Sequence, residues 1–512
     1  MSYKIPKIIH QLWIGDKPPP SIMMKTWKDK HPDFEYILWN EDEFVRRNFV
    51  SNCSEQIQLI SEINGKADIY RWEILYQYGG IFVDADSICI ESLDPDIFLT
   101  KTGFAAFENE TERGNLIATV GMGFVPQHPL CGDMIQWIQT SSDAKTYISD
   151  FKAWYSVGPA LITRFLETGK YPDFTIFPSH FFLPHHFTGA NYDGHKRVYA
   201  YQEWGTTKNN YDIINTIQLP PELSPPPPNQ WISILIPSYN TPRKYIRECL
   251  DSIRSQLGSR IGFEVVWVND GSDDSFSEIL EKELSTFVRL SRFCKVNYYK
   301  TTTNKGVAEC LRKGIEWCSN EIIVRMDSDD IMVYNRIITQ YKFMMENPTV
   351  PMCGTGIRAF QTRPATMSPT ELVVKRLSAP CQNIHDKGGR PWCKDIVFPT
   401  ITLEQYLENP VSCIMSHSSL MMRKSAIIEL GNYRNVYDSF QIIDSEGNRP
   451  ILDDYDLECR CLKKYGIIHN LPNILMYYRI HQNQITSDGV LEKSKANQEA
   501  VSKIMEMLRS VV

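Results

Sequence analysis

The sequence predicts an α/β protein of two domains joined by a proline-rich linker, and three observations carry that prediction. A chain of 512 residues has the length of two to four domains, at roughly 100 to 200 residues each. Short apolar, β-branched runs alternate with helical patterns in both halves, the signature of α/β domains with largely parallel sheets. One segment, Gln218–Gln230 (QLPPELSPPPPNQ), interrupts the alternation with Pro220, Pro221 and the run Pro225 to Pro228. Prolines at that density forbid helix and sheet interior alike and favour an extended, semi-rigid polyproline II spacer. The expected division is a domain over 1–217, a linker over 218–230 and a domain over 231–512.

Apolar residues at 42% and charged residues at 22% describe an ordinary globular chain. Lys and Arg total 54 against 61 Asp and Glu, a net charge of −7 with no basic block, which argues against nucleic acid as a partner. The 13 cysteines are odd in number and lack a Cys-x-x-Cys pair, so they read as buried, reduced thiols. No stretch approaches the ~18 uninterrupted apolar residues of a membrane span, and Met1–Trp13 has no apolar leader core. The expectation is a cytoplasmic protein without a transmembrane segment, with peripheral contact to a membrane left open.

In the N-terminal half a helical pattern beginning at Gly65 carries Asp68 and Arg71 three apart on one face, and Gly79-Gly80 ends it. Ile81-Phe82-Val83 then forms a short strand that runs into Asp84-Ala85-Asp86. Residues two apart on extended chain point the same way, so both carboxylates face one side at the strand's end. Ligands of such sheets sit beyond the carboxyl ends of the strands. Two carboxylates there suit hard Mg²⁺ or Mn²⁺, whose shell a diphosphate and water would complete.

The C-terminal half reads strand Ile232–Pro237, helix Tyr245–Gln256, strand Phe263–Asn269, helix Val307–Cys318 and strand Ile322–Met326, a βαβαβ order. Pro237 ends the first strand, Tyr239 and Asn240 open the loop after it, and Asp270 follows the next strand. Asp327 and Asp329, after the third, repeat the metal logic of the first half. Ile451–Leu457 (ILDDYDL) supplies Asp453, Asp454 and Asp456. A carboxylate of this kind can take the proton of an attacking hydroxyl, and the expected base is Asp454, its affinity for a proton raised by repulsion from its neighbours. His481 is a candidate third metal ligand or phosphate donor, and His417 a candidate for the acceptor side. The stretch Gln361–Pro410 has no motif.

Ala67–Asp86 (ADIYRWEILYQYGGIFVDAD) closely resembles the DXD sugar-binding region of the glycosyltransferase family 32 type, a group that includes α-mannosyltransferases. Ile5–Gly15, Trp39 in an LWNE context and Gly158-Pro159 with Thr163 are similar to other parts of it, so the resemblance spans nearly all of 4–205. It implies that Trp13 stacks on a nucleotide base, that Asp68 and Arg71 hold the transferred sugar, that Asp84 and Asp86 bind sugar and metal, and that transfer retains the anomeric configuration. One departure stands out. Where many relatives carry a His-containing segment, this chain has Ala200-Tyr201-Gln202-Glu203-Trp204, so the ligand is Gln202, weaker than His, or Glu203, and if neither reaches the metal this half binds donor poorly or is a degenerate copy.

Ile232–Asn240 (ISILIPSYN), Phe263–Asp274 (FEVVWVNDGSDD), Asn304-Lys305-Gly306, Val324–Asp330 (VRMDSDD) and Leu471–His481 (LPNILMYYRIH) resemble, in order, a glycosyltransferase family 2 domain of the GT-A fold. That resemblance implies nucleotide contacts at Pro237, Tyr239 and Asp270, donor and metal at Asp327 and Asp329, and inverting transfer with a base at the acidic motif. The two resemblances together imply two GT-A-type, Rossmann-like domains and a bifunctional, metal-dependent glycosyltransferase. Its donors would be nucleotide sugars, UDP-sugars first, and its acceptor a glycan, a protein or a lipid-linked glycan. The alternatives are a single-activity enzyme whose N-terminal half binds sugar or acts as a scaffold, a sugar-nucleotide hydrolase, and a lectin.

Overall fold

The computed structural model describes residues 3–192, 194–216, 226–256, 260–361, 393–411, 413–443, 450, 452–481 and 495–510. Residues 218–225 of the expected linker and most of the motif-free stretch after Gln361 lie outside the described residues. Pro228–Gln230 form a single 3-10 turn. The chain divides into two compact units: Met1–Tyr192 with Arg197–Ser224, and Asp193–Lys196 with Pro225–Val512. No helix among the described residues is long and apolar enough to cross a membrane.

The N-terminal unit holds strands β1 (Ile8–Leu12), β2 (Glu35–Trp39), β3 (Gly80–Val83), β4 (Ser87–Cys89), β5 (Gly103–Phe107), β6 (Ile117–Phe124), β7 (Phe174–Phe177) and β8 (Ala200–Gln202). Six of them form one sheet in the order β2-β1-β3-β6-β5-β7, and β4 pairs with β8. β1 lies parallel to both β2 and β3, so the chain leaves β1 to one side and returns on the other. That reversal is a topological switch point, and the crevice at the carboxyl ends of β1 and β3 is where such sheets bind ligands. The predicted helix spans Ile63–Tyr78 and is capped by Gly79 at φ +64°, left-handed backbone that an L-residue adopts at a cost. Its Ile69, Trp72, Ile74 and Leu75 pack into one core with Phe82, Met122 and Phe124 of the sheet.

The C-terminal unit holds β9 (Trp231–Ser238), β10 (Gly262–Asn269), β11 (Cys294–Lys300), β12 (Ile322–Arg325), β13 (Ile331–Met332), β14 (Met352–Gln361), β15 (Cys393–Ile396), β16 (Ile401–Thr402), β17 (Met421–Arg423) and β18 (Ile467–Ile480). The sheet order is β11-β10-β9-β12-β17-β14-β18-β13, with β15 on β14 and β16 on β18. Alternation along the strands sends Ile234, Ile236, Val265 and Trp267 to one face, against the helices Arg243–Arg254 and Asp274–Leu290. Leu235, Val266 and Val268 face the other, against the helices Val307–Trp317 and Asp453–Tyr465. Both faces are buried, which is why the strands read as unbroken apolar runs. β9 is flanked by parallel β10 and β12, a second switch point with the same handover of sides.

Every predicted strand and helix forms, within two residues at most ends. The pairing differs from a largely parallel expectation: β3 and β5 run antiparallel to β6, and β12 and β14 antiparallel to β17. Apolar runs identify a buried strand but carry no information about the direction of its neighbour.

Candidate active sites

In the N-terminal unit, β3 delivers Asp84 and Asp86 to the switch crevice while the helix Ile63–Tyr78 aims Asp68 and Arg71 at them. Asp68 and Arg71 are buried. Arg71 Nη2 lies 2.5 Å from Asp84 Oδ1 and its Nη1 3.0 Å from Asp68 Oδ1, so one guanidinium bridges both carboxylates. Its plane lies 4.8 Å over the Phe82 ring. Gln202, at the end of β8, donates from Nε2 to Asp86 Oδ1 at 2.7 Å and to Asp84 Oδ2 at 3.4 Å. Asp86 Oδ2 accepts from Gly205 N at 2.7 Å and from Tyr211 OH at 3.4 Å. Burial outweighs these donors: the Asp68 carboxyl is pushed up to about 6, and Asp84 and Asp86 are raised too, Asp84 further by its acidic neighbours.

Trp13 follows β1 directly. It is partly buried, with Nε1 donating to Lys17 O at 2.7 Å and its ring edge-on to Tyr211 at 5.3 Å. Glu203 turns away toward Lys208 at 3.8 Å, while its N–H bonds the Asp86 carbonyl at 3.1 Å. Gln202, not Glu203, therefore reaches the carboxylates. The tight fit extends to Gly158, where a Cβ would lie 2.5 Å from Asp68 Oδ2. Sequence reasoning did not assign Tyr211 or Gly205 to this site. Tyr211 sits in a polar stretch without pattern, and only the fold returns it to Asp86.

In the C-terminal unit the loop after β12 carries Asp327 and Asp329. Arg325, the last residue of β12, donates from Nη1 to Asp327 Oδ2 at 2.7 Å, and His481 Nε2 lies 2.8 Å from Asp329 Oδ2. The second oxygen of each carboxylate accepts no hydrogen bond among the described residues, and both side chains keep solvent access. Asp330 is fully buried and accepts from Arg479 N at 2.8 Å, so it holds β18 and leaves the pair before it free. Asp454 lies in the first turn of the helix Asp453–Tyr465, its Oδ2 3.9 Å from His417 Nδ1. His417 Nε2 pairs with Tyr433 OH at 2.6 Å. Burial and the Arg325 charge hold His417 well below its ordinary value, so it is neutral. Partial burial, and not the expected repulsion from its neighbours, raises Asp454, whose side chain is still 48% exposed, while burial with repulsion from Asp454 pushes Asp453 up to about 7. Asp456 is fully buried between Arg434 and Arg460, at 2.5 and 2.8 Å, which makes it a structural anchor of this helix.

At the neighbouring strand ends Pro237 is buried in β9 and Tyr239 is exposed at the mouth. Asp270 grips the facing loop: Oδ1 accepts from Lys305 N at 2.7 Å and Oδ2 from Gly306 N at 2.8 Å. A single carboxylate thus shapes the Asn304-Lys305-Gly306 turn beside the crevice.

Among the described residues no three His, Cys, Asp or Glu side chains are placed to hold a metal alone. The donor chemistry nevertheless suits Mg²⁺ or Mn²⁺ bound together with a diphosphate, since such ions take one or two carboxylates and fill the remainder with phosphate and water. In the C-terminal unit the free oxygens of Asp327 and Asp329 fit that pattern. In the N-terminal unit every oxygen of Asp84 and Asp86 already accepts from the protein, while among the described residues Gln202 Oε1 is buried with no hydrogen-bond partner, an oxygen on the same amide that bonds both carboxylates.

Comparison with known proteins agrees with this layout. Residues 21–103 match the family model described as glycosyltransferase sugar-binding region containing DXD motif, and residues 233–431 match glycosyl transferase family 2. Inositol phosphoceramide mannosyltransferase 3 of Schizosaccharomyces pombe is 30% identical over 167 residues, 32% of this chain and 45% of that protein. An amylovoran biosynthesis glycosyltransferase of Erwinia amylovora is 24% identical over 256 residues, 49% of this chain and 77% of that protein. Among solved structures, a mannosyltransferase from Pyrobaculum calidifontis in complex with GDP-Man and Mn²⁺ aligns at 14% identity and a TM-score of 0.35, covering 58% of this chain and 71% of that one. The chain spans less than half the length of the first two relatives it matches. Along the chain, then, a match to the DXD-containing glycosyltransferase sugar-binding region is followed by a match to glycosyl transferase family 2.

Proposed function

We propose that the chain is a bifunctional hexosyltransferase whose two units, divided near the linker over 218–230, each transfer a sugar from a nucleotide-sugar donor, the first with retention and the second with inversion. The observation that carries the reading is the repeated one: in each unit a switch-point strand presents an Asp-x-Asp pair whose first carboxylate is held by a buried arginine, Arg71 or Arg325. Such a centre suits a divalent cation, through which a diphosphate and its sugar can bind at the strand ends. Asp84 and Asp86, and Asp327 and Asp329 with His481, would hold Mg²⁺ or Mn²⁺, which when bound offsets the negative charge of the departing nucleotide.

In the C-terminal unit Asp454 takes the proton of the acceptor hydroxyl as its oxygen attacks. Its raised proton affinity favours that role, and neutral His417 leaves the carboxylate unpaired by a full positive charge. Asp453 lies beside it. Pro237, Tyr239 and Asp270 border the nucleotide, as Trp13 does in the first unit. Asp68 and Arg71 hold the transferred sugar. The acceptor is a glycan, free or attached to protein or lipid, and the free, mostly buried thiols among the described residues favour work in the reducing cytoplasm.

A second reading keeps one activity. Gln202 closes Asp84 and Asp86 with hydrogen bonds, which favours an N-terminal unit that binds sugar without transferring it.

The test is nucleotide release by the full chain from UDP-, GDP- and dTDP-sugars with Mn²⁺, with product anomers followed by NMR. Mannose donors belong in the panel because relatives of this chain are named mannosyltransferases. Asp84→Asn and Asp327→Asn should each abolish turnover of a different donor. If Asp84→Asn changes nothing while Asp327→Asn removes all turnover, the single-activity reading replaces the bifunctional one.

A further inference from the structure

Beside Asp454, the expected base of the C-terminal unit, stand His417 and Tyr433, whose protons the proposed chemistry leaves unassigned. Three separate segments hold the group together. His417 opens a single 3-10 turn, His417–Ser419, fixed by the Ser419 hydroxyl, which donates to the Ser416 carbonyl at 2.7 Å and accepts from Thr355 N of β14 at 3.0 Å. Tyr433 follows Asn432, which stands in left-handed backbone at φ +60° and whose carbonyl accepts from Arg460 Nη2 at 2.9 Å. Arg460 and Asp454 belong to the same helix, Asp453–Tyr465, so the element that carries the base also pins the segment that carries the phenol. The Arg325 charge bears on His417, Tyr433 and Asp454 alike, and the Asp454 charge bears on Asp327, which ties the group to the donor carboxylates.

The partners of these groups fix where the protons lie. His417 Nε2 and the Tyr433 hydroxyl are 2.6 Å apart, the imidazole is neutral, and burial holds the phenol well above its ordinary value, so each keeps one proton. If Nε2 carried the imidazole proton, the phenol would accept it and its own O–H would point at nothing, because Tyr433 is fully buried and bonds no other group among the described residues. A buried donor left unpaired is a loss that the other tautomer avoids. Tyr433 therefore donates to Nε2, and the imidazole proton sits on Nδ1. Nδ1 is the nitrogen that faces Asp454, 3.9 Å from Oδ2. That separation is beyond a direct hydrogen bond, but the carboxylate is half-exposed, and catalytic contacts commonly stand long in the unliganded enzyme and tighten in the substrate complex. Asp454 Oδ1 is already taken by the N–H of Tyr455 at 2.8 Å. Oδ2 is thus the oxygen open to an acceptor hydroxyl, and its two lone pairs let it face Nδ1–H and still take a proton.

We propose that His417 is a positioning residue for the base: the Tyr433 hydroxyl locks its tautomer, and the Nδ1–H so fixed orients Asp454 Oδ2 and steadies its negative charge until the acceptor proton arrives. The proposal rests on the reading of Asp454 as the base and assigns the residues that make that carboxylate ready.

An Asn side chain carries its amide nitrogen where Nδ1 lies, and a Gln side chain carries it where Nε2 lies. His417→Asn should therefore keep at least a third of the Asp327-dependent nucleotide release of the full chain, whereas His417→Gln should lose at least tenfold in kcat with the donor KM within twofold. Long-range nitrogen NMR of the full chain with labelled histidine reads the tautomer directly, the His417 signals being those that vanish in His417→Asn. Nδ1 should be protonated and Nε2 not. A protonated Nε2, equal losses in the two variants, or more turnover in His417→Gln than in His417→Asn would overturn the proposal, since His417 would then act through packing or through Tyr433 alone. Asp454→Asn tests the reading beneath it. If that variant releases nucleotide at the parent rate, the base assignment falls and the proposal with it. If it is inactive while His417→Asn and His417→Gln behave alike, the base stands and only this proposal falls.

Discussion

Arg325 reaches from the last position of β12 to place Nη1 2.7 Å from Asp327 Oδ2, two residues ahead on the same strand end. The arginine is buried, and among the described residues its Nε has no hydrogen-bond partner. Asp327 is its ion-pair partner, and the Asp454 charge acts on it without a direct contact. Arg325→Met keeps the bulk and removes the charge. It should lower turnover of the Asp327-dependent donor at least tenfold and cost about 3 kcal/mol, the scale of breaking a buried pair. Urea unfolding of Arg325→Met, Asp327→Asn and the double variant checks this. The double variant should be more stable than the sum of the single losses predicts, and strict additivity would show that the pair is not coupled.

Gly158 leaves the space that Asp68 occupies. A Cβ there would stand 2.5 Å from Asp68 Oδ2, far inside van der Waals contact, and Arg71 prevents the carboxylate from simply swinging aside. Gly158→Ala should therefore reduce Asp84-dependent turnover at least tenfold while leaving Asp327-dependent turnover within twofold. Parallel assays with each unit's donor read the contrast.

Gln202 neutralises nothing, yet it satisfies both carboxylates. Gln202→Glu replaces that donor with a third negative charge among buried acids. The variant should melt several degrees below the parent in EDTA and recover most of the difference in millimolar Mn²⁺, because the new carboxylate is a better ligand than an amide oxygen. Differential scanning fluorimetry with and without the ion measures it. A variant that melts lower equally in both conditions would count against an ion at this site.

Asp453 gives a pH dependence with a definite sign. Its carboxyl stands at about 7 in the folded unit because of burial and the Asp454 charge, against 3.8 ordinarily. A group raised on folding stabilises fully below its unfolded value and loses that contribution as pH rises through the folded one. Unfolding free energy should thus fall between pH 4 and 7, by up to about 4 kcal/mol from this group alone. Asp453→Asn should flatten that stretch of the curve in urea titrations at pH 4.5, 6 and 7.5.

Much of the fold is legible before any coordinates. Apolar runs such as Ile232–Pro237 and Phe263–Asn269 declare buried strands because both faces of the sheet are covered, and Gly79 declares the end of its helix by the left-handed backbone it allows. The Asp-x-Asp pairs announce themselves as acidic runs directly after apolar strands, though both lie in the turn beyond β3 and β12 and not on the extended chain expected of them. Asp68 and Arg71 are likewise visible as one turn of helix.

The partners of those residues are not visible in the same way. That Arg71 bridges Asp68 to Asp84, that Gln202 and not Glu203 reaches the carboxylates, and that Tyr211 returns to Asp86 depend on contacts between segments far apart in the chain. The same holds for Asp270, whose oxygens turn out to hold the Lys305 loop, and for Asp456, which two arginines convert from a flanking acid into an anchor. Sequence order determines local geometry because φ and ψ, side-chain period and turn chemistry act over a few residues. Which oxygen meets which donor is decided by packing, since only the closed sheet and its burial set the distances and the loss of water that fix each charge.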